Sequence, residues 1–506
     1  MARTSSDRPP NILFILADQL RADFVSCYGA RFIDTPHIDG IAAAGIRYER
    51  AYSASPLCVP ARAALLTGMS AARTGVADNL HALRPDYRDA GIRTWPELLD
   101  QAGYHTAAIG KMHFYPWDAA HGFHERVACE DKLWPLIRDD YARYLEAHGL
   151  GKLRWSEYGD YLRTRGTATT DIPWEHSCDR FTGREACRFI ERNAGEEAPW
   201  ALMVGFPGPH DPYDPAPDFP VRYRDEDMPA PVPAAAGDPG GLRDAHERQR
   251  AGMGMPDGSL RPEECATLRS HYAGLVKGID HEVGAMLAAL RNSGQLDDTV
   301  VIFTSDHGDL LGDHGMQGKG NFFEGSMRIP LVAQGPGIAP GTDHPGLVEL
   351  RDVTASMLRI AGVEPPPHMD ARALPGLGAG SGGRTEILGV LAGAWVAFDG
   401  TWKLCKYHGH APLLFNLADD PDELVDRAED PAAAHELLRL DALLTTEVMA
   451  GSDVAMHDRL VSPYSLATDE AFGRPGWSWR YPAPIAAATL HTTGGGPGEE
   501  SQYDNR

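Results

Sequence analysis

Four short, nearly continuous apolar runs dominate the hydrophobic pattern of this chain. They are NILFILA, HTAAIG, WALMVGF and TVVIFTS, which begin at residues 11, 105, 200 and 299. Runs rich in Ile, Val, Leu and Phe are typical of strands that are buried on both faces of a parallel sheet. Helical patterns such as TWPELLDQAG and ECATLRSHYAGLVKGIDHEVGAMLAALRNSG lie between them. This alternation predicts an α/β fold in which helices sandwich a large, mostly parallel sheet.

Polar residues that can bind a metal or an anion follow each of the four runs. They are Asp18 and Gln19, then Lys111 and His113, then His210, and finally Asp306 and His307. Each has an ordinary structural explanation on its own, such as a helix cap for an aspartate or a core position for a histidine. Ligands of open α/β sheets, however, bind beyond the carboxyl ends of the strands. The agreement of four strand ends therefore predicts one functional site at that edge.

Two further segments offer positive charge to the same edge. Lys111 and His113 lie two residues apart, so in an extended chain their side chains point to the same face. Lys319 lies in the glycine-rich stretch GDHGMQGKGNFFEG, which predicts a loop. A lysine in such a loop is either a solvated surface residue or a cation that approaches the site, and the segment alone leaves both alternatives open.

The segment LCVPARAALLTG predicts a short helix with Cys58 at its N-terminus. Pro60 lies near the helix start, where its missing N–H costs nothing, and the residues that follow are good helix formers. The free N–H groups at this end, together with the charge of Arg62 one turn later, would attract an anion. The alternative is a buried cysteine beside an ordinary helix cap.

The C-terminal part of the chain predicts a smaller unit. A passage rich in Pro, Gly and Ser at residues 362–384 marks a boundary. After it, EILGVLAGAWVAF and TWKLCKY predict a short antiparallel sheet, and AAAHELLRLDALLTTEVMA predicts a helix. We therefore divide the chain into an α/β domain that carries the candidate site (1–384), a C-terminal α+β subdomain (385–455), and an arm with a disordered tail (456–506).

The arm contains DEAFGRPGWSWRYPAPI, in which aromatic residues cluster from Trp477 onwards. Such a segment is too apolar to be left in water, so it either packs on its own subunit or reaches a neighbouring one. The second alternative predicts a homo-oligomer. A different segment, rich in Pro and Asp, follows His210 and predicts a long loop over part of the site.

The composition of the chain limits the classes of partner and the cell compartment that we expect for the protein. The formal net charge of −24 over 506 residues argues against nucleic acid and anionic membranes, since either usually demands a basic surface. Seven cysteines without a C-x-x-C pair indicate reduced thiols and not a disulfide framework. The first apolar run is too short for a signal peptide, and no run reaches the roughly 20 residues that span a bilayer. Together these features predict a cytoplasmic protein.

These motifs resemble those of the type I sulfatases of the alkaline-phosphatase superfamily. The family signature C-x-P-x-R-x-x-x-x-T-G is complete from Cys58 to Gly68, and the segment Gly110-Lys111-Met112-His113 is similar to the family's G-K-x-H. The resemblance covers roughly residues 10 to 430. The pairs Asp-Gln at 18 and Asp-His at 306 are similar to the choline-sulfatase and phosphonate monoester hydrolase branch, whereas Lys111 and His113 resemble the sulfatase arrangement.

The resemblance implies a sulfuric ester hydrolase that cleaves a small organic sulfate monoester into sulfate and an alcohol or phenol. It implies that a formylglycine-generating enzyme converts Cys58 to formylglycine, whose hydrate attacks sulfur with one hydroxyl and releases sulfate through the other. The implied roles of the remaining residues are orientation of the hydrate for Arg62, binding of sulfate oxygens for Lys111 and Lys319, general base for His113, and protonation of the leaving oxygen for His210 with Lys319.

The resemblance also implies one divalent cation at the site. Its ligands would be Asp18, Gln19, Asp306, His307 and the modified Cys58. Oxygen ligands suit Ca²⁺ or Mg²⁺ and the histidine admits Mn²⁺; we take Ca²⁺ as the preferred ion. Two other functions stay open: a phosphonate or phosphate ester hydrolase with the same nucleophile, and a non-catalytic metal-binding relative whose Cys58 remains a thiol. The acidic composition favours a small ester over a sulfated polysaccharide as the substrate.

Overall fold

The computed structural model describes residues 8–132, 137–152, 163–234, 260–378 and 382–459, together with Leu242, His246 and Gly380. The strands are β1 (Asn11–Asp18), β2 (Ile46–Tyr52), β3 (His105–Gly110), β4 (Glu125–Ala128), β5 (Trp200–Pro209), β6 (Thr299–Ser305), β7 (Arg328–Ile329), β8 (Leu331–Gln334), β9 (Thr342–Glu349), β10 (Ile387–Leu391), β11 (Ala394–Phe398), β12 (Trp402–Tyr407) and β13 (Leu413–Asn416). The α-helices are α1 (Pro36–Ala44), α2 (Cys58–Thr67), α3 (Ala71–Thr74), α4 (Trp95–Gln101), α5 (Asp140–Ala147), α6 (Cys178–Arg192), α7 (Pro262–Asn292), α8 (Glu324–Met327), α9 (Asp352–Ile360) and α10 (Ala434–Arg459).

The large sheet has nine strands in the order β4-β3-β5-β1-β6-β8-β2-β7, with β9 paired to β2. The block β4-β3-β5-β1-β6 is parallel throughout, whereas β8 is antiparallel to β6 and to β2. The four apolar runs of the sequence become β3, β5, β1 and β6, which are neighbours in that order. The predicted α/β fold with a mostly parallel sheet is therefore confirmed, and the carboxyl ends of these four strands lie side by side.

Alternation along β1 explains why helices cover both faces of the sheet. Leu13, Ile15 and Ala17 point into a core that includes apolar residues of α1, α6 and α7. Ile12 and Phe14 point the other way, into a core built with α2, α4 and α9. All five side chains have no exposed surface. A strand that is apolar at every position is thus the expected product of a sheet buried on both sides.

The small C-terminal sheet is antiparallel, with the order β10-β11-β12-β13, as the sequence predicts. One face packs on the large domain, where the rings of Phe398 and Tyr52 lie 5.1 Å apart. The other face is covered by α10 through Leu440 and Leu444. The contact with the large domain is close, since a Cβ added to Gly389 would lie 1.8 Å from the carbonyl oxygen of Ala54.

The structure also bears on the predictions for the cysteines, the loop after β5 and the apolar segments. All seven cysteines are free, as expected of reduced thiols. Residues 210–234 after β5 form a loop with one short 3-10 turn, Asp225–Asp227. No helix in the described part of the chain combines the length and the apolar character that crossing a bilayer requires. The predicted aromatic segment around Trp477 lies outside the described residues, because these end at Arg459.

Candidate active site

The strand order brings the predicted polar residues to one edge of the sheet. Asp18 is the last residue of β1, Asp306 and His307 follow β6, and Lys111 follows β3. His210 follows β5 at the same edge. Asp18, Asp306 and His307 are completely buried. Because β3, β5, β1 and β6 are parallel neighbours, residues separated by up to about 290 positions along the chain end within reach of one another.

Cys58 joins this edge from helix α2. Leu57 precedes the helix in an extended conformation and Gly68 ends it in the left-handed conformation at φ 65°. Pro60 is the third helical residue, so its missing N–H falls in the first turn, where no helical partner exists. Cys58 Sγ lies 3.2 Å from Nε2 of His307 and 3.7 Å from a carboxylate oxygen of Asp18. The cysteine therefore lies inside the strand-end cluster and does not merely fill a helix cap.

The surroundings of Cys58 favour negative charge at its position. Burial raises the pKa of the thiol, but Lys319, His307 and Lys111, with a hydrogen bond from His113, outweigh that effect and hold the pKa well below its usual value. Only 1% of the residue is exposed. A buried position surrounded by cations is suited to an anionic nucleophile and to the anionic group that it attacks.

Arg62 and Lys111 complete the charge arrangement on the other side. Arg62 donates to Asp306 at 2.8 Å and to Asp18 at 3.2 Å, and its Nη1 reaches the backbone oxygen of Lys111 at 2.6 Å. Lys111 Nζ lies 2.7 Å from Asp18. Burial and the charge of Cys58 raise the pKa of Asp18, but Lys111, His210 and Arg62 outweigh them and bring it well below its usual value. Asp18 therefore stays charged at neutral pH.

A metal ion fits the donor atoms at this edge. One ligand atom from each of Asp18, Cys58, Asp306 and His307 lies within 4.8 Å of the other three, and all four residues are buried. Two carboxylates, an imidazole and a group on the Cys58 side chain form a donor set that divalent cations accept. The four residues bring negative charge together in the interior, which a divalent cation would compensate.

Gln19 takes a different position from its neighbour Asp18. Its Nε2 donates to Asp309, and its Oε1 accepts from Lys319 Nζ. A carboxylate only accepts and an ammonium only donates, so the two partners fix which end of the amide is oxygen. Tyr213 donates to the same Asp309 oxygen at 2.5 Å. The amide oxygen of Gln19 is thereby held toward Lys319.

His113 is positioned by a carboxylate that the sequence reasoning missed. Its backbone N–H donates to Glu130 at 2.7 Å, and Glu130 also accepts from Arg126 at 2.5 Å. His113 has a left-handed backbone at φ 57°, so the chain turns after β3 instead of continuing as an extended strand. Lys111 and His113 both approach Cys58, although the extended geometry assumed from the sequence is absent.

His210 is partly open to solvent, with 25% of its side chain exposed. Its Nδ1 lies 2.7 Å from the backbone oxygen of Asp211, and its backbone oxygen accepts from Lys132 at 2.9 Å. It is close enough to Asp18 to lower that group's pKa. His210 therefore lies at the rim of the cluster, between the buried carboxylates and solvent.

A cavity of about 710 Å³ opens beside Lys111 and His113. Its lining includes Phe114 and Tyr115 on the segment after β3, and Leu80 on the segment before α4. Tyr115 and Leu80 are unusually exposed for large apolar side chains, at 68% and 77%. The cavity gives the buried centre an entrance large enough for a small organic group.

The sequence also matches known proteins. Residues 10–363 match the sulfatase family model. A choline-sulfatase of Rhizobium meliloti (strain 1021) is 33% identical over 441 residues, which cover 83% of each chain. An arylsulfatase of Clostridium perfringens (strain 13 / Type A) is 30% identical over 393 residues, which cover 73% of this chain and 78% of the relative.

The fold has close counterparts among solved structures. The phosphonate monoester hydrolase of Agrobacterium radiobacter superimposes with a TM-score of 0.72, over 87% of this chain and 96% of that one. The two sequences are 24% identical, so this likeness concerns the fold.

Proposed function

The chain belongs to the sulfatase family and is therefore a sulfate ester hydrolase; we propose that it acts on a small organic sulfate monoester with formylglycine, made from Cys58, as its nucleophile. The observation that carries the proposal is the buried group of cations around Cys58, formed by Lys319, His307 and Lys111. A monoester of sulfuric acid is an anion, and charge grows on the leaving oxygen as the S–O bond breaks. Fixed cations that face the sulfuryl oxygens and the leaving oxygen lower the barrier to this step.

The position of Cys58 is compatible with the formylglycine modification. The hydrate of formylglycine carries two hydroxyls on one carbon, so one can attack sulfur while the other later allows sulfate to leave without an attack by water. The groups that hold the thiol as an anion would equally stabilise an oxyanion at this carbon. Arg62 lies one helical turn further on, between Asp18 and Asp306, where it can orient that group.

The remaining side chains divide the binding of sulfate from the movement of protons. Lys111 and Lys319 approach Cys58 from different loops, and we assign them to the sulfuryl oxygens. His113 hydrogen-bonds the Cys58 side chain and would accept a proton from it during sulfate release. His210, at the solvent rim, would protonate the leaving oxygen with Lys319. Each of the two proton transfers is then served by one imidazole, that of His113 for sulfate release and that of His210 for the leaving oxygen.

The metal site belongs to the same proposal. Asp18, Asp306 and His307 would hold the ion with the modified Cys58, and we assign Gln19 as a further ligand through its amide oxygen, which also accepts from Lys319. A divalent cation there would lower the pKa of a hydroxyl at the nucleophile position. Three carboxyl or amide oxygens against one imidazole favour Ca²⁺, with Mn²⁺ and Mg²⁺ as the other ions to be tested.

The test of the nucleophile is mass spectrometry of active protein. The Cys58 peptide should carry an aldehyde that hydrazine-type reagents capture and thiol reagents do not, and its fraction should follow specific activity in preparations made with and without a formylglycine-generating enzyme. Cys58→Ala should abolish turnover. Cys58→Ser should react once at most, because serine lacks the second hydroxyl. Full multiple turnover by Cys58→Ser, or by protein that is entirely thiol, would overturn the proposed nucleophile.

A second candidate function is hydrolysis of phosphonate or phosphate esters with the same nucleophile. The pairs Asp18-Gln19 and Asp306-His307 and the structural likeness to a phosphonate monoester hydrolase favour it. Lys111 and His113 resemble the sulfatase arrangement and therefore favour a sulfate ester over a phosphonate ester as the substrate. Values of kcat/KM on an aryl sulfate and an aryl phosphonate with the same phenol separate the two, since the leaving group is then constant. We expect the sulfate to be the better substrate.

A further inference from the structure

The cavity beside the catalytic cluster shares two residues with it. Lys111 and His113 line its inner end, and Val59, which follows Cys58 in the chain, lines the same end. A sulfate ester bound at Cys58 with its oxygens on Lys111 would therefore direct its organic half into this cavity. The residues of the cavity then decide which alcohol or phenol the enzyme accepts.

Three aromatic residues form one wall of the cavity: Phe114, Tyr115 and Trp117. They belong to the short segment after His113, so the residues that bind sulfate and those that face the organic half lie next to one another in the chain. Aromatic side chains offer large apolar contact surfaces at a low cost in conformational entropy. A flat or branched apolar group would find its contact area here.

Other lining residues of the cavity are also apolar: Leu80, Leu83 and Pro85. Leu80 is 77% exposed and Tyr115 is 68% exposed, so two large apolar side chains of the cavity lining are open to solvent. Exposed apolar patches on a protein surface often mark ligand-binding sites.

Several polar groups along the cavity already have partners. Glu130 accepts from the backbone N–H of His113 and from Arg126. Asn79 accepts from the N–H of Val59 at 3.0 Å, and His81 pairs with Asp78, which is not one of the lining residues. A sugar ring would bury several hydroxyls, and each one left without a partner costs about 1–3 kcal/mol. The cavity is therefore poorly suited to a sugar.

The charges at the cavity give no net attraction to a cation. Glu130 and Asp131 are among its lining residues, and Lys111 supplies a positive charge. Arg126 lies 2.5 Å from Glu130 and has its guanidinium carbon 5.4 Å from the centre of the Phe114 ring. Glu130 is thus neutralised by Arg126, Asp131 also has a partner, and Arg126 already occupies one aromatic ring. A quaternary ammonium would gain little here.

We infer that the organic half of the substrate is an uncharged, largely apolar alkyl or aryl group that contacts the aromatic segment Phe114–Trp117 and Leu80 in this cavity. The inference rests on the proposed sulfatase function and specifies its substrate class. It predicts that this enzyme discriminates against choline sulfate, although a choline-sulfatase is 33% identical to it.

The test uses two esters of the same shape. Choline sulfate and 3,3-dimethylbutyl sulfate differ in one atom, a quaternary nitrogen against a quaternary carbon, and each is measured as a competitor of 4-nitrophenyl sulfate hydrolysis. We expect the inhibition constant of the neutral ester to be about tenfold lower. An equal or lower constant for choline sulfate overturns the inference and leaves the proposed function intact. Failure of the enzyme with its aldehyde at Cys58 to hydrolyse any of these three sulfate esters overturns the proposed function itself.

Substitutions of lining residues test which side chains of the cavity contact the organic half of the substrate. Trp117→Ala and Leu80→Ala should each raise KM for 4-nitrophenyl sulfate about tenfold with less than a threefold change in kcat, because they remove contacts with the organic half and leave the reacting groups in place. Trp117→Phe should restore most of the affinity. Leu438→Ala is the matched control for Leu80, since Leu438 is 67% exposed on α10. Unchanged KM in both wall variants would refute the assignment of the cavity.

Discussion

Among single residues, Lys111 shows how the centre keeps its positive charge. It is 7% exposed, and its Nζ lies 2.7 Å from Asp18. Burial lowers the pKa of the lysine, but Asp18 and Cys58 outweigh it, and the pKa lies above its usual value. A lysine that stays charged in the interior is a preorganised cation, which needs no rearrangement when the substrate gains charge.

Loss of this cation should therefore affect the reaction more than the fold. We expect Lys111→Ala and His113→Ala each to lower kcat/KM on sulfate esters by about two to four powers of ten, the size of effect seen when a preorganised charge or a proton-transfer group is removed. Circular dichroism checks that the fold is retained. Lys406→Ala, an exposed lysine paired with Asp441, is the control and should be neutral. Near wild-type activity in both site variants would contradict their roles.

Asp18 and Asp306 allow the metal to be tested without an activity assay. Each substitution to Asn removes one full negative charge from the donor cluster, so bound metal should decrease in both variants. Elemental analysis of the purified proteins measures this directly, and activity should fall in parallel. Asp343→Asn is a control, since that aspartate pairs with Arg47 on the surface. If both site variants keep their full metal content, the proposed ligand set is wrong.

At the scale of elements, the loop after β6 connects the metal ligands with the lysine loop through Asp309. This buried carboxylate accepts from the N–H of Gly318 at 2.9 Å and from the side chains of Gln19 and Tyr213. Asp309→Asn would present an amide to Gln19 and permit that side chain to turn. We expect metal affinity, measured by calorimetric titration, to fall about 10- to 100-fold. Tyr213→Phe keeps the carboxylate and should have a smaller effect; equal affinities in all three proteins would exclude the positioning role.

Strand β10 attaches the small sheet to the large domain through a glycine. A Cβ at Gly389 would come within 1.8 Å of the Ala54 carbonyl oxygen, so Gly389→Ala must separate the two units or distort the strand. Overpacking of this kind costs about 1–3 kcal/mol or more in the free energy of unfolding. Gly382→Ala is the matched control, because nothing lies within 4 Å of its Cβ position. If the Tm of Gly389→Ala equals that of the control, the close contact between Gly389 and Ala54 does not limit stability and the prediction is wrong.

The elements that could be predicted from the sequence are those with an unambiguous pattern. The strands β1, β3, β5 and β6 are apolar throughout, and α7 repeats its apolar positions over 31 residues. Strand β2, IRYERAY, mixes buried and half-buried positions at the antiparallel side of the sheet, and β7 has two residues, so neither has a readable period. Tertiary pairing decides their structure, since β2 pairs with β7, β8 and β9.

The same limit applies within the site. The strand ends and the cysteine signature mark residues by their place in the chain, and the structure brings those residues together. Glu130 and Asp309 act through contacts with His113 and Gln19, and the second of these contacts spans 290 positions. No local pattern encodes such a partner. The acidic residue two places after His307 is the one hint that the sequence offers for Asp309.

For the whole molecule, the charge of the proposed catalytic cluster is opposite to the overall charge. The chain carries a formal charge of −24, yet Arg62, Lys111 and Lys319 converge on Cys58. At physiological ionic strength the surface charge is screened beyond about 8 Å. An anionic ester is therefore held by the contacts of the site and gains nothing from long-range attraction.

Acid should destabilise the protein through its buried histidines. His314 is 8% exposed and stacks on Phe323 at 4.0 Å; burial lowers its pKa to about 4. An unfolded histidine has a pKa of about 6.5, so between pH 6.5 and 4 the unfolded state binds the extra proton and the free energy of unfolding falls as the pH falls. Urea denaturation at several pH values measures this slope. His314→Asn, which tolerates the left-handed φ of 56°, should flatten it; an unchanged slope would contradict the assignment.

The depth of Cys58 has a consequence for the order of events in the life of the chain. With 1% of its surface exposed, the side chain is beyond the reach of any modifying enzyme once the sheet has closed, and closure requires strands and loops up to Lys319. At a synthesis rate of about 5–20 residues per second, Lys319 leaves the ribosome roughly 10–50 seconds after Cys58. The proposed conversion of Cys58 would therefore compete with folding in time, and a slower ribosome or a delayed fold should then yield a larger fraction of modified enzyme.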